Sequence, residues 1–133
     1  MRRIVAALTV ATCTWWVAGC SDGTPEFCTS LAKQADMSRL SAALEARDLA
    51  RARREAERFA ALAARAPEEI APDLTAVADG VNGVVRLLGA TASGTPSADL
   101  QRQRNELSKS LESVGRNSAA VSRWASAECG IRL

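Results

Sequence analysis

The chain of 133 residues contains no His and no Tyr. This removes the commonest general base and the commonest metal ligand, and with them Ser-His-Asp and Cys-His catalysis. No Glu-x-x-His pattern supports a carboxylate-bridged metal centre. No stretch alternates apolar and polar residues at period two for long enough to make a sheet, so no strand precedes a Gly-rich phosphate loop. No apolar run reaches the roughly 20 residues that cross a bilayer as a helix. A marked excess of one charge is also missing, with 17 Lys and Arg against 15 Asp and Glu. No cofactor is implied, and an enzyme is not expected.

The first segment is targeting rather than fold. Met1-Arg2-Arg3 precedes an apolar stretch from Ile4 to Val17, and Ala18-Gly19-Cys20 follows, the three-part order of an export signal. Val17-Ala18-Gly19-Cys20 resembles a lipobox, in which small residues admit the peptidase and the Cys sulfur carries a diacylglyceryl group. The competing reading is an ordinary secretory signal with a chance Cys20. Cys13 lies inside the apolar run behind Thr12 and is no rival. Two long acyl chains, at about 0.8 kcal/mol per buried methylene, hold a protein where one myristoyl chain holds it marginally. The expected partner of Cys20 is therefore the membrane, with the protein outside the cytoplasm. From Ser21 to Pro25 the tether spans at most roughly 18 Å, at about 3.5 Å per residue. Residues 1–19 are the leader, 20–25 the lipidated Cys and tether, and 26–133 one domain.

Removing the leader takes away Arg2 and Arg3, leaving 15 basic against 15 acidic residues. Nucleic-acid binding then has no electrostatic basis. Cys28 and Cys129 remain without another partner once Cys20 is lipidated, and an exported compartment permits disulfides. We expect them to bond. A redox-active pair would need Cys-x-x-Cys spacing or a neighbouring His, and neither is present.

Helical spacing runs through the rest. Residues 26–46 read as one helix, kinked or broken near Asp36 to Ser38, with Phe27 and Leu31 on one face and Met37, Leu40 and Leu44 on another. Asp48 caps a second, in which Leu49, Ala52, Ala56, Phe59, Ala60 and Ala63 form a stripe of mostly small residues. Its opposite face carries Arg47, Arg51, Arg54, Arg58 and Arg65. That face suits anionic lipid headgroups, or simple intrahelical pairing of Arg51 with Glu55 and Arg53 with Glu57. Ala66-Pro67 begins a third helix with the clearest seam in the chain: Ile70, Leu74, Val77, Val81, Val84 and Leu88 in steps of four and three. Gly80 and Gly83 lie within it, each costing about 1 kcal/mol relative to Ala, and close approach by a partner or ligand is one reason to keep them. Residues 89–97 read as a flexible loop. Ser97 caps the last helix, which runs through Leu100, Leu107, Leu111, Val114, Val121 and Ala125 and stops at Gly130. Trp124 belongs to the core or its edge. Glu68, Glu69 and Asp73 sit where a helix dipole favours acids, which competes with any catalytic or metal-binding role.

Four helices with short connections give an all-α, up-down-up-down antiparallel four-helix bundle. That order brings Cys28 and Cys129 to one end, which a disulfide would tie. The disulfide end would face the membrane and the 89–97 loop would point outward.

Phe27-Cys28 near the mature start, Ala66-Pro67-Glu68-Glu69-Ile70 followed by Asp73, and the terminal Cys129-Gly130-Ile131 occur in order along the mature chain. In this the chain resembles small exported α-helical lipoproteins of actinobacteria. The resemblance implies a bundle tied at its ends and no activity. Two functions remain: a non-enzymatic envelope lipoprotein that contacts another envelope protein, or a binder of a small apolar ligand or lipid in a cavity lined by Leu40, Leu44, Val81, Val85 and Leu107.

Overall fold

The structure, a computed structural model, describes residues 24–133. The leader, Cys20 and the first part of the tether lie outside the described residues. Five α-helices follow one another: α1 (Thr24–Gln34), α2 (Ser38–Glu45), α3 (Leu49–Ala63), α4 (Ala71–Ala92) and α5 (Ser97–Trp124), with a π-helical turn over Ala125–Cys129. No strand occurs among the described residues.

Side-chain and backbone caps explain most boundaries. α1 takes in Thr24 and Pro25, two residues expected in the tether. Of the kink or break expected near Asp36 to Ser38, the break is what forms, because Asp36 accepts from both the backbone N–H and the hydroxyl of Ser38 at 3.1 Å. An Asp side chain that satisfies a downstream amide competes with helix continuation. Met37 between them is left-handed, with φ 48°. α2 ends in a Schellman turn: Arg47 N–H donates to Leu44 at 3.0 Å and Asp48 N–H to Ala43 at 2.9 Å. Asp48 then caps α3 as expected, accepting from Arg51 N–H at 2.9 Å.

Pro67 to Ile70 form a separate turn, and α4 begins at Ala71 with Pro72 in its first turn, where a missing N–H leaves no bond unmade. The helix continues through Gly80 and Gly83 to Ala92. The loop expected at 89–97 is thus confined to 93–96. Small, polar residues are compatible with either state, and here Thr91 turns its hydroxyl inward to Leu87 C=O at 2.9 Å instead of breaking the helix. Gly94, at φ 73°, closes a second Schellman turn, with Thr95 N–H donating to Ala90 at 3.1 Å. Pro96 rather than Ser97 occupies the N-cap of α5, and Ser97 is the first helical residue. Gly130, at φ 66°, stops the last helical turn where expected.

α4 packs on both α3 and α5, and α2 packs on α3. α1 touches α3 and the π-helical turn. The larger core holds Phe27 and Leu31 from α1, Phe59, Leu62 and Ala63 from α3, Ile70, Leu74, Val77 and Ala78 around α4, and Val121 and Ala125. Leu31, Leu62 and Leu74 are almost fully enclosed, each contributing about 1.5–3 kcal/mol. The smaller core is Ala43, Ala52, Ala56 and Val85, flanked by Leu40, Leu44 and Val81. Leu62 and Ala43 fall outside the expected stripes yet are fully buried, while Leu49 and Ala60 within the α3 stripe are half-buried.

Cys28 and Cys129 form the expected disulfide across 101 residues, with Cα atoms 5.4 Å apart. Beside it Trp124 meets Phe27 edge to face at 5.8 Å, and its indole N–H donates to Glu69 at 3.4 Å. α1, the turn before α4 and the end of α5 are tied together there.

Candidate functional site

The seam on α4 changes character along its length. Ile70, Leu74 and Val77 are 3%, 1% and 8% exposed, Val81 and Val84 are half-buried, and Leu88 is 42% exposed. α5 does not repeat the gradient: Ala125 and Val121 are buried and Val114 is half-buried, but Leu111, at 43% exposed, gives way to half-buried Leu107 and Leu100. The helices enclose the larger core at the disulfide end, while toward the far end Leu88 is uncovered and Val85 and Gly89 of the same helix stay buried.

Small residues produce this shape. Ala43, Ala52 and Ala56 let the eight residues of α2 settle onto α3 rather than reach across to α5. Gly80 and Gly83 bring α5 down onto α4. A Cβ at Gly80 would lie 2.9 Å from Val114 Cγ2, and one at Gly83 would lie 2.8 Å from Leu107 Cδ1. The close approach that these glycines permit is made by the protein's own last helix.

The five residues expected to line a ligand cavity do not surround one space. Val85 is buried in the small core with Leu40, Leu44 and Val81 packed against it, whereas Leu107 lies on α5 over Gly83. Leu40 and Val81 also border an open groove of about 580 Å³, and Leu107 borders a different one with Asp79, Arg86 and Glu106.

The arginine face of α3 is present, with Arg47, Arg51, Arg54, Arg58 and Arg65 all exposed. Its expected pairing is not. Among the described residues only two ion pairs form, Arg58–Glu55 at 2.8 Å and Arg102–Asp99. Glu55 therefore takes Arg58 rather than Arg51, and Arg53 turns away from Glu57 to lie over Gly89, where an added Cβ would meet its guanidinium.

Of the acids near α4, Glu69 serves the Trp124 indole. No group of acidic or thiol side chains among the described residues is arranged to hold a metal ion, and none of the described polar residues is buried. No described helix is long and apolar enough to cross a membrane. No local pattern foretells the groove beneath the α1–α2 break, which gathers Lys33 of α1, Arg39 of α2, Arg58 of α3 and Arg65 of the turn after it. Only the fold brings them together.

No protein-family model, no curated protein and no solved structure matches this chain.

Proposed function

We propose that this protein is a lipid-anchored, non-enzymatic module of the cell envelope, moored through Cys20, whose far end receives an apolar helix face of another envelope protein. The exposure of Leu88 on α4 and of Leu111 on α5 carries this reading. Exposed apolar side chains mark interaction sites where they gather into a patch, and helix-in-groove docking uses anchors at the four-residue spacing of Leu107 and Leu111. The finer architecture belongs to the same proposal: an up-down-up-down bundle with α1 and α2 together as its first member. Gly80 faces Val114 while Gly83 faces Leu107, so rising numbers on α4 meet falling numbers on α5, as opposed helices require. The disulfide end then lies beside the bilayer, within reach of the short tether, and the uncovered end points outward.

Two experiments divide the proposal. Cys20→Ser should move the protein from the membrane to the soluble fraction; continued membrane association rejects the anchor. Crosslinking in whole cells, followed by affinity capture, should recover one envelope protein with the native chain and lose it with Leu88→Glu plus Leu111→Glu. Equal recovery with both chains rejects the far end as the docking site.

A further inference from the structure

A second site, separate from the anchor and from Leu88 and Leu111, lies where the chain breaks between α1 and α2. The groove there has a volume of about 580 Å³, inside the roughly 300–1,000 Å³ range of small-molecule sites. Its walls divide by chemistry. Met37, Leu40, Phe59 and Val81 supply apolar surface, Phe59 being buried and the others half-buried. Lys33, Arg39, Arg58 and Arg65, all exposed, supply four cations.

The groove also carries two carboxylates, so its four cations leave a net excess of two positive charges. Asp36 accepts from the backbone and hydroxyl of Ser38, and Glu55 pairs with Arg58. Arg65 spends its Nε–H on Ala61 C=O at 3.3 Å, leaving the outer guanidinium nitrogens to face solvent. Lys33, Arg39 and Arg65 make no ion pair, so the groove has positive charge in excess beside an apolar wall.

We infer that this groove binds an anionic amphiphile, an aliphatic chain with a carboxylate or phosphate head, the chain lying over Met37, Leu40, Phe59 and Val81 and the head among Lys33, Arg39 and Arg65. A purely apolar ligand would leave the cations without a counter-charge. A small inorganic anion would leave the apolar wall in water.

The test uses the mature chain with monomeric dodecyl phosphate, inorganic phosphate and neutral dodecyl maltoside, read by calorimetry. Dodecyl phosphate should bind saturably with one site, at least tenfold more tightly than the maltoside, and phosphate alone should not bind. Arg39→Gln with Arg65→Gln removes two exposed charges without touching the core. Each exposed ion contact accounts for a few-fold, so the pair should weaken dodecyl phosphate about tenfold and leave the maltoside unchanged. A diazirine on the alkyl chain should label peptides containing Met37, Leu40 or Phe59. Vesicles separate the two sources of such a ligand: added co-sedimentation of Cys20→Ser protein with phosphatidylglycerol, but not phosphatidylcholine, points to a bilayer lipid, and binding of the monomeric probe alone to a free amphiphile. Comparable affinity for the neutral probe, an unchanged affinity in the double variant, or labelling confined to other helices overturns the inference.

Discussion

The disulfide end and the far end share α3, α4 and the same apolar spacing, yet one is closed by large side chains and the other is not. At the disulfide end, large side chains from α1, α3, α4 and the end of α5 meet in one cluster, with a Trp–Phe contact and a covalent link at its edge. At the far end the buried residues are three alanines and a valine. Apolar spacing selects the helix face; the volume of the residues on neighbouring helices decides whether that face is covered. A small domain places most of its stability in its best-packed region, and here that is the membrane-proximal end of the proposed arrangement.

The largest effect should come from the disulfide. Closing a loop of 101 residues is valued at about 4–5 kcal/mol by the chain-entropy model. Cys28→Ser with Cys129→Ser should lower the free energy of unfolding in guanidinium by an amount approaching that. A loss below about 1 kcal/mol would show that the closed end holds without its link, and the contrast between the ends would then rest on packing alone.

Packing is separated by paired truncations. Leu74→Ala removes a side chain only 1% exposed and should cost about 2–5 kcal/mol. Leu88→Ala, two steps of seven further along the same seam, removes one that is 42% exposed and should cost under about 0.5 kcal/mol. Equal losses would mean that Leu88 is covered in solution, by a second copy or by closure of α2, and the far end would no longer qualify as open. Urea unfolding of both variants at two protein concentrations separates these causes.

Much of the closed end was legible in the sequence. Phe27, Leu31, Ile70, Leu74, Val77, Val121 and Ala125 are all buried as the spacing implies, the cysteine count implied the bond that forms, and Asp48 and Gly130 bound helices as their chemistry dictates. The far end was less so, for two physical reasons. A strict 3.5-residue seam drifts by about 20° per heptad against a straight helix. Burial on α4 accordingly moves from Leu74 and Val77 to Ala78, Val85 and Gly89, leaving Leu88 outside. Residues 89–92 are small and polar, which fits a loop until Thr91 finds its own backbone acceptor. The candidate docking face and the amphiphile groove were illegible for a further reason: one joins residues of α4 and α5, the other residues of α1 to α4, and no local pattern encodes how those helices stand to one another.

A smaller effect tests the turn between α2 and α3. Arg47 holds φ 55° at the position after the helix cap, where glycine carries no penalty and a side chain costs about 1 kcal/mol. Arg47→Gly should therefore raise stability by about 0.5–1 kcal/mol. Its side chain is exposed and makes no ion pair, so no interaction is lost to offset that gain.

The finest test asks whether α5 lies as closely on α4 at both ends. Gly83→Ala gains helix propensity of about 1 kcal/mol, and the new Cβ meets only the tip of half-buried Leu107, which can rotate away. Gly80→Ala gains the same propensity, but its Cβ meets a methyl of Val114, a β-branched side chain with one favoured rotamer in a helix. Gly83→Ala should thus stabilise by about 0.5 kcal/mol, while Gly80→Ala should be neutral or destabilising. If both substitutions stabilise equally, α5 lifts from α4 near Val114 as readily as near Leu107, and the tight closure assigned to the disulfide end must begin beyond Val114, at Val121.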